Sequence, residues 1–190
     1  MIDLPLILTT RTCFSDECYG VIGRALAFAT SFECNCWALE ALTETKRGLD
    51  FSDEESMAEF CRELDKKFLG RRTKDITKNL KKGAETLAEK DMSCLVEFLA
   101  TNLGKKLEDA RKARNEIAHD LTKGIEHYAE DDERRKNLIK DVETLVRRIA
   151  EADVEVYNLC RILTKEPRFT DTSKYCEAAV KWVCEIEDSP

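Results

Sequence analysis

Apolar side chains recur at alternating steps of three and four residues along most of the chain, which is the spacing of one helix face. The pattern is most regular in a run of eight residues: Leu138, Val142, Leu145, Ile149, Ala152, Val156, Leu159 and Leu163. This run predicts a helix of roughly seven to eight turns, long enough to be the spine of a helical bundle. The polar segment Lys165-Glu166-Pro167 predicts its end.

Shorter periodic runs predict the other helices. The first helix carries Ile22, Leu26, Ala29, Phe32, Cys36 and Leu39 on one face. A capping box, Ser52-Asp53-Glu54-Glu55, predicts the start of a second helix that runs to Phe68, and a weaker helix follows from Ile76 to Leu87. A helix from near Asp91 to Ile117, a loop over 120–132 and a last helix through Cys176 and Val183 complete the pattern.

Strand-like alternation and internal repeats are absent from the sequence, and 7 glycines and 3 prolines leave little room for turns. The sequence therefore predicts an all-α protein, an up-and-down bundle of five to six helices that forms a single domain over residues 1–190. Hydrophobic residues make up 43% and charged residues 36%, which excludes a disordered chain. The longest apolar stretch contains charged groups, and no signal peptide is evident, so we expect a cytoplasmic protein without a membrane span.

Nine cysteines raise the question of disulfides or a metal site. The odd number and the helix-core spacing of several of them favour free, buried thiols. Cys34 and Cys36 resemble a metal-binding pair, but residues two apart on a helix point to nearly opposite faces. Because no second cysteine–histidine cluster accompanies them, we expect no structural zinc site.

The net charge of −7 opposes binding of nucleic acid through bulk electrostatics, but the charge is unevenly distributed. Between Arg62 and Lys82 there are nine basic residues and three acidic ones, and between Gly104 and Arg114 five basic and two acidic. Such local patches can hold a phosphate backbone. An ordinary solvated helix face is an equally good interpretation of the first patch.

The segment from Arg114 to His119 carries the most pointed chemistry in the chain. On a regular α-helix, at 100° per residue, the two side chains would be separated by about 140°. One copy therefore makes no compact pair unless the last turn unwinds or the long arginine side chain swings across. If the two residues have only a structural role, a positively charged His119 stabilises the C-terminal end of its helix through the helix dipole. Arg114 then forms an ion pair with Glu108, Glu116 or an acidic residue elsewhere.

The phrase Ala113-Arg114-Asn115-Glu116-Ile117-Ala118-His119, followed by a polar loop and a long amphipathic helix, resembles the HEPN superfamily. The signature of that superfamily is an arginine, a polar residue that is often asparagine, and a histidine four to six positions after the arginine. Its members include toxin ribonucleases and RNA-cleaving domains of defence systems. One subgroup, which is modified by a partner enzyme, often has tyrosine at the position of Leu121, and this chain departs from it.

The resemblance implies a metal-independent endoribonuclease, a toxin or a phage-defence effector, with Arg114, Asn115 and His119 as catalytic residues and no cofactor. It also implies a homodimer, because one chain supplies one motif, and a possible antitoxin or defence-system partner. Arg111 and Lys112 are candidate RNA contacts, with solvated surface as the alternative. A role for His127 and Tyr128 is less favoured, and the acidic run 130–133 is expected to stabilise the N-terminus of the spine helix.

Two other functions are compatible with the sequence. A non-catalytic HEPN-like module would bind RNA, a nucleotide or a partner protein, and the negative net charge favours it slightly. A helical adaptor unrelated to HEPN proteins would make the motif a chance match.

Overall fold

The computed structural model describes residues 13–46, 93–124 and 131–185, together with five single helical positions: Glu55, Ala58, Glu59, Arg62 and Lys78. Four α-helices lie in the continuous parts: α1 (Cys13–Lys46), α2 (Ser93–Asn115), α3 (Asp132–Leu163) and α4 (Thr172–Cys184). A π-helical turn, Glu116–Asp120, and a 3-10 turn, Leu121–Gly124, extend α2. All these elements are helical, so the prediction of an all-α protein is confirmed for the described residues.

Helix α3 packs against each of the other three helices and thereby organises the described core. Its buried face includes the apolar residues from Leu138 to Leu159 that define the periodic run in the sequence. The opposite face is polar, which is the pattern of a helix that packs along one side. This packing is bundle-like, while the number of five to six helices stays a prediction.

Acidic residues stabilise the start of α3, as the sequence predicts. Asp131 is its N-cap residue, and its side chain accepts a hydrogen bond of 2.7 Å from the Arg134 backbone N–H. Asp132 lies in the first turn, where a negative charge interacts favourably with the helix dipole. The helix ends at Leu163, and Lys165 then takes a positive φ of 63° before Pro167.

The predicted loop over 120–132 is wrong in its first part. Residues 116–120 form the π turn and residues 121–124 the 3-10 turn, so helical backbone continues past His119. Ile117 and Leu121 are both buried, and this apolar anchorage holds the two turns against the core. Residues 125–130 lie outside the described part of the chain, and so do His127 and Tyr128.

Apart from the five single helical positions, the predicted helices over 52–68 and 76–87 and the basic run 62–82 also lie outside the described residues. They stay predictions. The four described helices include none that is long and apolar enough to cross a bilayer.

The cysteines follow the helix-core interpretation where they are described. Cys18, Cys36, Cys176 and Cys184 are buried, and burial raises the pKa of the Cys184 thiol to about 11. Cys34 is exposed while Cys36 is buried, which confirms the opposite faces expected from their spacing. Within the described ranges, no group of three or more histidine, cysteine or acidic residues is arranged to hold a metal ion.

Candidate active site

The candidate site is built at the point where α2 changes into the π turn. The backbone N–H of Leu121 bonds to the carbonyl of Glu116, five residues back, instead of four as in an α-helix. A π turn accommodates one extra residue, so residues i and i+5 approach the positions that i and i+4 occupy in an α-helix. The π winding begins only at Glu116, so it affects part of the arc from Arg114 to His119, and the angle between the two side chains is smaller than the about 140° of a regular α-helix. The regular helix assumed from the sequence is wrong at this turn.

Arg114 is fixed by an ion pair with α1. Its Nε donates a hydrogen bond of 2.8 Å to Oε1 of Glu33, which lies 81 residues earlier in the chain. The two side chains are 34% and 24% exposed, so the pair is partly shielded from water. The terminal nitrogens Nη1 and Nη2 donate no hydrogen bond to any of the described residues. Glu33 therefore holds the guanidinium from one side, and within the described part of the chain the outer edge of the guanidinium is not hydrogen-bonded.

His119 lies in the last turn before the 3-10 segment, and its side chain is exposed. Its imidazole has no hydrogen-bond partner among the described residues. Asn115, at the N-cap of the π turn, is half-buried and makes no side-chain capping bond. Neither side chain makes a hydrogen bond within the described part of the protein.

This combination of groups suits chemistry on a phosphodiester. An imidazole can accept or donate a proton near neutral pH. A guanidinium with two available N–H groups can bind two phosphate oxygens at once and stabilise the negative charge that develops in the transition state. One copy of the motif provides one imidazole, that of His119. Proton transfer at both the attacking and the leaving oxygen would require a second imidazole.

Arg111 and Lys112, the candidate RNA contacts, differ in their surroundings. Arg111 makes two hydrogen bonds to the Glu108 carboxylate, from Nε at 2.8 Å and from Nη2 at 2.7 Å. These hydrogen bonds raise the pKa of Arg111. Lys112 is exposed, with its Nζ 4.0 Å from the same carboxylate. The geometry favours the solvated-surface interpretation for Arg111, while Lys112 is free to reach a phosphate.

Two residues that the sequence interpretation missed, Glu33 and Asp153, form contacts between the helices. Glu33 was one of many carboxylates that could pair with Arg114, and periodicity does not select it. Asp153 is 4% exposed and accepts a hydrogen bond of 2.8 Å from Asn35. The burial of Asp153 could have been predicted from its position in the sequence, because an aspartate next to Ala152 and three residues before Val156 falls on the apolar face of α3.

The chain shows no match to a family model, to a curated protein or to a solved structure.

Proposed function

We propose that this chain is a metal-independent endoribonuclease of the HEPN type, which acts in the cytoplasm as a toxin or phage-defence effector. The observation that carries the proposal is the π turn, because it brings His119 towards the side of the helix that presents the available edge of Arg114. The proposal includes a complete bundle of five to six helices with α3 as its spine.

The proposed reaction is an internal transesterification of RNA. The 2′-hydroxyl attacks the adjacent phosphorus, a P–O2′ bond forms and the P–O5′ bond breaks. One imidazole accepts the 2′ proton, and a second donates a proton to the leaving 5′ oxygen. The products are a 2′,3′-cyclic phosphate and a 5′-hydroxyl. Arg114 binds the non-bridging oxygens as charge accumulates on them, and Asn115 orients His119 or an oxygen of the phosphate.

A homodimer supplies the second imidazole. Two copies related by a two-fold axis, with their π turns facing each other, would place two Arg114 and two His119 side chains in one cleft. The exposure of His119 suits this arrangement, because a histidine buried within one protomer could not contribute to a shared cleft. A cognate antitoxin or another defence protein would then inhibit or activate the dimer.

A non-catalytic module that binds RNA, a nucleotide or a protein is the second candidate. The observation that favours it is the Arg114–Glu33 ion pair, which offsets the charge of the guanidinium and is the contact expected of a purely structural arginine. In that case Arg114 joins α1 to α2 and His119 is an ordinary surface residue.

Incubation of the purified protein with RNA in EDTA tests the proposal. We expect cleavage with cyclic-phosphate and 5′-hydroxyl ends, together with a dimer in sedimentation. His119→Ala, purified in parallel, controls for contaminating ribonucleases. Strict dependence on magnesium, 3′-hydroxyl products or a monomer that RNA does not convert into a dimer would contradict the proposed mechanism.

A further inference from the structure

A cavity of about 360 Å³ lies where α1, α3 and α4 meet the segment that joins α3 to α4. It is lined by Asn35, Asp153, Val154, Tyr157, Phe169 and Tyr175. This volume is near the lower end of the range for small-molecule pockets, roughly 300–1,000 Å³. None of the residues proposed for RNA cleavage lines it, so the cavity is a separate feature of the protein.

Asp153 is the charged group of the cavity, and its environment is unusual for a carboxylate. It accepts hydrogen bonds from two neutral donors, the Asn35 amide at 2.8 Å and the Tyr175 hydroxyl. Among the described residues, no lysine, arginine or histidine forms an ion pair with it. Buried charges in proteins are usually paired, because transfer of a lone charge out of water is costly. Within the described part of the chain, two hydrogen bonds stabilise the carboxylate, and no cationic side chain offsets its charge.

The charge of Asp153 also affects its neighbours. Burial, and secondarily the negative charge of Asp153, raise the pKa of Cys160 to about 11. Burial and the hydrogen bond to Asp153 raise the pKa of Tyr175. Tyr175 therefore stays a neutral hydroxyl that donates to the carboxylate and brings no positive charge to the cavity.

Aromatic rings form the rest of the wall. Phe169 and Tyr175 meet edge to face, with their ring centroids 6.3 Å apart, and Tyr157 is 46% exposed at the rim. The faces of such rings attract cations. Tyr157 already does so, because the guanidinium carbon of Arg161 lies 5.4 Å from its ring centroid.

Arg161 itself does not serve as the counter-ion. Its Nε donates to the carbonyl of Pro167, and its Nη1 donates a hydrogen bond of 2.8 Å to the Tyr157 hydroxyl and lies 3.4 Å from a Glu166 carboxylate oxygen. These contacts hold Arg161 beside Tyr157 at the rim, and it is not among the residues that line the cavity.

The cavity wall is fixed by a buried side chain. Asn158 accepts a hydrogen bond of 2.7 Å from the Phe169 N–H, and its amide donates one of 3.0 Å to the Phe169 carbonyl. An asparagine that satisfies both backbone groups of one residue holds that residue in a defined position. Phe169 is thus part of a formed pocket, which lowers the entropic cost of binding a ligand.

We propose that this cavity is a binding site for a small organic ammonium ion, whose charged nitrogen contacts Asp153 and whose carbon skeleton lies against Tyr157 and Phe169. The proposal does not depend on the nuclease function.

The test compares two probes of nearly the same shape, benzylamine, which is cationic at pH 7, and benzyl alcohol, which is neutral. Titration calorimetry with the full chain is expected to show binding of benzylamine and at least tenfold weaker binding of benzyl alcohol. Asp153→Asn removes the charge with little change of shape and should weaken benzylamine binding at least tenfold, which corresponds to about 1.4 kcal/mol. Asp141→Asn, at an exposed position of the same helix, is the matched control and should bind like the wild type.

Equal binding of the two probes, no binding of benzylamine, or equal losses in the two aspartate variants would each overturn the proposal. If Asp153→Asn does not fold, Tyr157→Leu replaces it, because that ring is at the rim and leucine keeps the site apolar. This variant should weaken the binding of both probes and keep the preference for benzylamine, because the ring contacts the carbon skeleton that the two probes share. Unchanged benzylamine binding in Tyr157→Leu would also count against the site.

Discussion

The ion pair between Glu33 and Arg114 can be measured by a double-mutant cycle. Glu33→Ala and Arg114→Ala are made singly and together, and the free energy of unfolding is determined for all four proteins. If Glu33 holds Arg114 as the structure shows, the two single losses should sum to more than the loss in the double variant. The difference is the coupling energy of the pair.

The structure sets the expected size of this coupling. At the Nε–Oε1 distance of 2.8 Å, two unit charges attract by about 6 kcal/mol at an effective dielectric constant of about 20. Desolvation and lost side-chain freedom offset most of that energy. Fully exposed pairs are worth about 0–1 kcal/mol, and removing one partner of a fully buried pair costs about 3–5 kcal/mol. With the two side chains between a quarter and a third exposed, we expect a coupling of about 1 kcal/mol.

Urea unfolding followed by circular dichroism provides the four free energies. For a domain of this size, each loss of about 1 kcal/mol lowers the Tm by roughly 2–4 °C, which gives an independent check. Lys181 and Glu185 are the control pair, because they lie 3.4 Å apart but are 70% and 61% exposed, and their coupling should be close to zero. A Glu33–Arg114 coupling no larger than that of the control would refute the claim that Glu33 fixes the guanidinium.

Two further changes test the packing around the functional regions. Ile117→Ala leaves a cavity at a fully buried position in the π turn and should lower the free energy of unfolding by about 2–5 kcal/mol. Glu116→Ala, at the exposed neighbouring position, is the control and should change that free energy by less than about 0.5 kcal/mol. Equal effects of the two substitutions would contradict the burial of Ile117. Asn158→Ala removes the hydrogen bonds to the Phe169 N–H and carbonyl, so it should lower the free energy of unfolding by about 1–3 kcal/mol and speed hydrogen exchange at the Phe169 amide. Asn137→Ala, at an exposed position, is the control. Unchanged exchange at the Phe169 amide would contradict the role of Asn158 in fixing Phe169.

The helical character of the described chain was predictable because burial on one face of a helix imposes a period in the sequence. The eight apolar residues of α3 are the clearest case, since each lies where a helix packed on one side needs an apolar group. The opposite exposure of Cys34 and Cys36 follows from the same geometry. The N-cap role of Asp131 was predictable too, because acidic residues before an apolar run satisfy free backbone N–H groups.

The details of the candidate site were not predictable in the same way. A π turn shifts one backbone hydrogen bond by a single residue, and Ile117 and Leu121 keep the spacing of four expected in an ordinary helix. The choice of Glu33 as the partner of Arg114 depends on how α1 lies against the end of α2. The same is true of the meeting of Asn35 with Asp153, 118 residues apart.

The rate of RNA cleavage by His119→Ala and Arg114→Lys in EDTA, measured beside thermal unfolding, tests the proposed function most directly. We expect His119→Ala to lose proton transfer and to cleave roughly 10²–10⁴-fold more slowly than the wild type. Arg114→Lys should retain part of the activity, because the charge remains but the two-pronged donor geometry is lost. Both variants should stay folded, since His119 is exposed and Arg114 is half-buried. Wild-type cleavage rates in folded His119→Ala would contradict the account.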